Sequence, residues 1–165
     1  MDHLWAPWRM AYLSSEPAQG CIFCQKPAED RDPENGILWR GRSCFVILNA
    51  YPYNPGHLMV VPYQHVGSIA LLDAGQLADI MPVTRLSLEA IDACMSPNGF
   101  NIGINQGRPA GAGITDHVHQ HVVPRWAGDT NFMTSVGETK VLPELVEDTY
   151  ERLLPYFAAS GMELK

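Results

Sequence analysis

The segment His117-Val118-His119-Gln120-His121-Val122-Val123-Pro124 sets three of the chain's six histidines at alternate positions among β-branched residues. On an extended strand successive side chains point to opposite faces, so residues two apart stand in one row. The spacing therefore predicts a strand over 117–123 on which His117, His119 and His121 share a face. In a helix, residues two apart diverge by about 200°, and the row would be lost. Charged imidazoles in register repel one another, which is unfavourable unless the row meets an anion or a metal. Because imidazole titrates near neutrality, such a row can supply a nucleophile, a proton donor and a metal ligand within one small volume. A single strand histidine is commonly a surface or satisfied core residue. Three in a row point to catalysis.

Further β-rich runs at Ile37-Leu38-Trp39, Cys44 to Leu48, Leu58 to Val61 and Phe100 to Asn105 predict four more strands. Asn49 to Gly56, with Pro52, Asn54 and Pro55, reads as the turn between two of them. Asp73 is placed to cap a helix from Ala74, where Leu77, Ile80, Met81, Leu86, Leu88, Ala90 and Ile91 recur at mostly helical spacing up to about Cys94. Pro82 within it predicts a kink or a break. A last helix is predicted over 143–157 from the stripe Leu145, Val146, Tyr150, Leu153 and Leu154. The first thirty-odd residues, with Trp5, Trp8 and Tyr12 among Pro7, Pro17, Pro27 and Pro33, read as an irregular arm packed on the domain. The expected class is α+β, an antiparallel sheet of about five strands with helices on one face. At 165 residues the chain suits one domain. It divides into an arm over 1–35, a main body over 36–135 and a helical extension over 136–165 packed on the same domain.

Charge and cysteine usage narrow the partners. Eleven basic and 18 acidic residues leave a net charge of −7, which disfavours a nucleic-acid partner. A small phosphorylated ligand stays compatible, since local amides and imidazoles can outweigh a distant, screened field. The glycine-rich stretch Gly107 to Gly113 can turn backbone N–H groups toward such an anion, or be an ordinary flexible turn. No apolar run approaches bilayer length and the N-terminus lacks a signal-peptide layout, so a cytoplasmic location away from membranes is expected. In that compartment Cys21-Ile22-Phe23-Cys24 reads as half of a metal site or as a redox pair. It follows a Ser-, Pro- and Gly-containing loop and not a thioredoxin-like helix start, which favours zinc with two histidines from elsewhere.

The run His117 to Val123 resembles the motif of the histidine triad (HIT) superfamily of nucleotide hydrolases and transferases. Phe45-Val46-Ile47-Leu48-Asn49, Pro55-Gly56-His57-Leu58-Met59-Val60-Val61-Pro62 and Asn105-Gln106-Gly107 extend the resemblance over most of the chain. Trp5-Ala6-Pro7-Trp8-Arg9, the cysteine pair, and His121-Val122-Val123-Pro124-Arg125-Trp126 with Gly128 to Phe132 are similar to the bacterial diadenosine tetraphosphate phosphorylase branch. The resemblance implies that His119 attacks an α-phosphorus to form a covalent nucleotidyl-histidine. His121 would contact phosphate oxygens or the leaving group, and the carbonyl near His117 would orient the nucleophile. Asn49 would hold the ribose hydroxyls, Ile47 and Leu48 would help to wall the base pocket, and Asn105 would position phosphate or the histidine row, with His57 on the next strand beside it as a further substrate-binding candidate. Gly111 and Gly113 of the glycine loop are candidates for the phosphate amides. Cys21, Cys24, His65 and His117 would hold a structural zinc ion with no open position, although His65 also suits a cap for the segment from Val66. A homodimer is implied, with the strand from Phe100 to Asn105 and the preceding helix as its interface.

Where hydrolytic members carry a glutamine or another polar residue before the triad, this chain reads Gly111-Ala112-Gly113-Ile114-Thr115-Asp116, one residue longer. Water would lack a polar guide there, whereas inorganic phosphate needs only room and amides, which favours phosphate as acceptor. The expected function is thus nucleotidyl transfer from dinucleoside polyphosphates such as diadenosine tetraphosphate. Nucleoside phosphoramidase or nucleotide hydrolase activity is the alternative within the family, and a non-catalytic nucleotide sensor is the alternative of another kind.

Overall fold

The runs of β-formers pair into one antiparallel sheet, seen in a computed structural model that describes residues 20–131 and 144–162. Its strands are β1 (Ile37–Arg40), β2 (Cys44–Leu48), β3 (Leu58–Pro62), β4 (Gly99–Ile104) and β5 (Gln120–Arg125), in the order β1-β2-β3-β5-β4. Alternation divides them between two apolar layers. Leu38, Val46, Leu48, Leu58, Val60 and Val122 face the long helices, while Ile37, Phe45, Ile47, Met59 and Val61 face the other side. Central strands β2 and β3 are buried along their whole length, as strands covered on both faces are.

Helix α3 (Ala74–Met95) begins where expected: Asp73 accepts from the Gln76 amide at 2.8 Å and Gln76 returns the bond to the Asp73 amide at 2.9 Å. This capping box satisfies two amides that the first turn would otherwise leave open. Pro82 does not break the helix. It forfeits one intrahelical bond, and burial of Asp79 and Ile80 before it and of Val83, Thr84 and Leu86 after it holds both halves on the sheet. Helix α4 (Val146–Ala158) buries Tyr150, Leu153 and Phe157, and the Tyr150 hydroxyl donates to the Ile37 carbonyl at 3.2 Å. The expected start at Pro143 lies outside the described residues. No described helix is long and apolar enough to cross a membrane.

Two sequence expectations are corrected. The last part of the arm is helical, as α1 (Ile22–Ala28) and α2 (Asp32–Asn35), although its prolines suggested irregular chain. The two long helices cover one face as expected, and Phe23, 1% exposed, anchors the short α1 in the apolar layer on the other. Trp5, Trp8 and Tyr12 lie outside the described residues. The strand predicted over 117–123 enters the ladder only at Gln120. Its partner β3 pairs as far as Val60↔Gln120 and ends at Pro62, which has no N–H to donate. The Pro62 carbonyl instead accepts from His117 Nε2 at 2.8 Å, and the Val118 amide donates to Val66 at 2.7 Å.

Candidate active site and metal centre

The histidine row survives this shift because the lead-in keeps the strand's alternation. Val118 and Val122 enter the helix-side core, and the buried Gln120 accepts from the Thr84 hydroxyl at 2.9 Å. The histidines face the other way: the His119 and His121 rings lie 4.8 Å apart, and Phe23 sits 5.5 Å from His117 and 4.9 Å from His119.

Hydrogen bonds fix which nitrogen of each ring is free. His119 Nδ1 lies 2.9 Å from the His117 carbonyl; a carbonyl only accepts, so Nδ1 carries the proton and Nε2 keeps its lone pair. Burial pushes this imidazole below the usual histidine range, against the opposing pull of that bond, and so keeps it neutral. A neutral ring with a free Nε2 is a nucleophile.

His121 reaches the complementary state through a relay. The Tyr53 amide donates to His57 Nδ1 at 3.1 Å, so the proton of neutral His57 is on Nε2, which donates to His121 Nδ1 at 3.0 Å. His121 is left with its proton on Nε2. Burial, with the neighbouring His119 second, pushes its pKa down to about 4. His57, expected among the substrate-binding residues, is fully buried and directs its Nε2 at His121, so it orients that ring. The turn carrying Tyr53 is clamped in place: buried Asn54 donates to the Pro124 carbonyl and to Asp129, each at 2.8 Å, and Arg125 holds Asp129 at 2.6 and 2.7 Å.

Behind His119, the donors of Cys21, Cys24, His65 and His117 lie within 4.8 Å of one another. The sulfur–nitrogen separations are 3.3, 3.4 and 3.6 Å and the two Nδ1 atoms are 3.3 Å apart. Tetrahedral bonds of about 2.3 Å to sulfur and about 2.0 Å to nitrogen place donors roughly 3.3–3.8 Å apart. These four separations match that spacing, and the Cys21–Cys24 and Cys21–His65 pairs stay within 4.8 Å, so the donor set suits a tetrahedral ion. The His117 Nε2–H bond to Pro62 turns an unprotonated Nδ1 to the centre, the usual outer hydrogen bond of a metal-bound histidine. Burial, then the adjacent Cys21 sulfur, pushes the Cys24 thiol up; a cation between the sulfurs reverses that preference.

The remaining expected positions divide. Ile47 lies on the histidine side, packed with Phe23 and Met59. Leu48 does not: it is on the opposite face, in the helix-side core, because adjacent strand residues point oppositely. Asn49 follows β2, its amide bonded to the His57 carbonyl and its side chain accepting from the Tyr51 amide, both at 2.9 Å. Asn105 borders a cavity with His121 and approaches Gly111, whose φ of +88° suits glycine. The glycine loop offers fewer amides than its composition suggested, since those of Ala110, Gly111 and Ala112 bond back to Gly107 and Arg108. Gly113 faces open space with no such internal bond among the described residues. The sequence reading missed Phe23 and the Asn54–Asp129–Arg125 clamp. Phe23 was legible as one of two apolar residues, with Ile22, between two metal-type cysteines; nothing local marks the clamp.

The site thus joins a neutral histidine with an unprotonated Nε2, a second histidine with an N–H beside it, and a thiol–imidazole cluster behind them. The chain belongs to the HIT domain family, whose model matches residues 33–128. It is 42% identical to the AP-4-A phosphorylase of Mycobacterium tuberculosis, over 93% of this chain and 83% of that protein. Among solved structures it resembles a hypothetical histidine triad nucleotide-binding protein from Sulfolobus tokodaii, with TM-score 0.65 and 28% identity over 83% of this chain and 89% of that one. It also resembles a Zn-bound histidine triad family protein from Mycobacterium smegmatis, with TM-score 0.66 and 24% identity over 84% and 94% of the two chains.

Proposed function

We propose that this protein is a nucleotidyl-transferring enzyme that cleaves dinucleoside polyphosphates, diadenosine tetraphosphate foremost, with inorganic phosphate as acceptor. The pairing of a free Nε2 on His119 with an N–H on His121 is the observation that carries the reading. In the first step His119 Nε2 bonds to the α-phosphorus, the bond from that phosphorus to the bridging oxygen breaks, and ATP departs. His121 Nε2–H stabilises charge on the departing oxygen by hydrogen bonding. In the second step a phosphate oxygen displaces His119 and forms ADP; water in its place would form AMP. The similarity to the mycobacterial phosphorylase supports this choice of substrate and acceptor.

The ion we assign to Cys21, Cys24, His65 and His117 is zinc, in a structural role. When bound it supplies a cross-link between α1 and the His117 segment. We further propose a homodimer formed along β4, an edge strand on which Ile102 is 45% exposed.

Product analysis tests the acceptor. With diadenosine tetraphosphate, added phosphate is expected to raise the rate and give ADP with ATP. A rate indifferent to phosphate, with AMP as the partner of ATP, would replace phosphorylase with hydrolase. Gly113→Gln is expected to shift products toward AMP by giving water a polar guide, and a Cβ there meets no atom within 4 Å.

The pH profile follows from burial. His119 is held below its ordinary range and His121 at about 4, so both are neutral at pH 7 and each charges only at lower pH than an exposed histidine. In a two-step transfer kcat/KM for the dinucleotide reports the first step, where acceptor ionisation plays no part. Its acid limb is expected at a pH below the ordinary histidine value of about 6.5. A midpoint at or above that value would contradict neutral, buried imidazoles.

A further inference from the structure

Beside the histidine row the open face of the sheet holds a cavity of about 300 Å³ that His121 and Asn105 border and whose other lining residues, Tyr53 and Gly103 among them, have no role in the phosphoryl chemistry. Its floor comes from paired strands: Asn101 and Gly103 on β4 lie opposite Val123 and His121 on β5. Tyr53, 52% exposed as a residue, forms a wall, its ring 4.7 Å from the His57 ring and 6.0 Å from that of His121.

Three observations bear on what fills it. Gly103 stands mid-strand directly across from His121, yet its φ is not left-handed and a Cβ there would meet nothing within 4 Å. Within one chain neither backbone nor packing requires glycine, and a glycine inside a strand often marks the close approach of a ligand or of another backbone. Gly103 shares the His121 face of the sheet, where a ligand would lie, while a partner along β4 would meet the strand's edge. The cavity's charge is already spent: Arg125, the cation among its lining residues, is held by both oxygens of Asp129. Asn54 is likewise committed to Pro124 and Asp129, and the Asn101 oxygen accepts from Arg125. What remains is an aromatic ring, small apolar surface, the Asn101 amide N–H groups and the Asn105 carboxamide, which suit an uncharged, planar, hydrogen-bonding ligand better than a polyphosphate. Finally, His121 borders both this cavity and the reacting row, so a group leaving past its N–H arrives here.

We infer that this cavity is the subsite for the departing nucleotide's nucleoside, whose base stacks on Tyr53 and whose ribose lies over Gly103. The inference rests on the proposed cleavage of dinucleoside polyphosphates and adds the place where the second nucleoside binds. A volume near 300 Å³ is at the lower end for small-ligand sites, enough for one nucleoside.

The test compares KM for diadenosine tetraphosphate with KM for adenosine 5′-tetraphosphate, which offers the same adenylate and phosphate chain without a second nucleoside. Tyr53→Ala is expected to raise the ratio of the two constants about tenfold, the scale of losing one base–aromatic stack. Gly103→Leu, which fills the cavity from an unstrained strand position, is expected to raise it at least as far. A ratio within about twofold of wild type in both variants overturns the subsite, whatever happens to absolute rates. Wild-type protein that cleaves neither compound overturns the proposed function, and the subsite falls with it.

Discussion

Replacing His119 with alanine is expected to end turnover of diadenosine tetraphosphate, lowering kcat by roughly three to six orders of magnitude, as loss of a nucleophile does. The ring is 5% exposed, packed against Phe23 and His121, with Nδ1–H bonded to the His117 carbonyl. Truncating so buried a side chain leaves a void that costs about 2–4 kcal/mol, small enough for a stable domain to stay folded. His119→Gln fills more of the space and separates lost chemistry from lost packing. Both variants should still bind the dinucleotide, because neither removes Asn49, Asn105 or the cavity beside His121. Wild-type enzyme quenched during turnover of labelled substrate should yield an acid-labile adduct at residue 119. Retention of more than a few per cent of activity by both variants would sink the covalent mechanism.

The same geometry shows what a sequence can reveal about such a site. Alternation alone placed His117, His119 and His121 on one face, since a two-residue period depends on extended backbone and not on ladder bonds. The ladder's late start at Gln120 was not legible, because it depends on Pro62 of a different strand lacking a donor. Strands β1 to β4 and the start of α3 were legible for local reasons, β-branched runs and an Asp73–Gln76 capping box. Helix α1 was hidden by Pro27 and Pro33, and it stands because Phe23 finds an apolar layer that only the assembled sheet provides. Leu48 was assigned to the wrong side by grouping neighbours whose side chains oppose each other. Residue type could not reveal that His57 sits wholly behind His121, nor that the Tyr53 amide sets the tautomers of both. Such directionality arises where the loop between β2 and β3, carrying Tyr53 and His57, meets His121 on β5.

Removing the proposed zinc ion is expected to lower the melting temperature by roughly 10–20 °C, the scale for losing several kcal/mol from a domain of this size. Elemental analysis of protein purified without chelator should first give about one zinc per chain; its absence would return Cys21 and Cys24 to the role of small packing residues. The size of the effect follows from what the four ligands join. Cys21 and Cys24 flank Phe23 at the start of α1, His65 follows β3, and fully buried His117 leads into β5. Without an ion, His117 keeps a buried Nδ1 turned toward Cys21, Cys24 and His65 Nδ1, a poor substitute for a coordinate bond. Cys24→Ser should reproduce most of the loss in stability with a smaller effect on the rate of the protein that remains folded, because His119 takes its orientation from the His117 carbonyl and not from the ion. Phe23 is the route by which some effect on rate should persist: held between two ligands, it presses on the His119 ring. If chelation left the melting temperature unchanged while abolishing kcat, the ion would have to act on the reaction itself, and a purely structural centre would be the wrong description of these four residues.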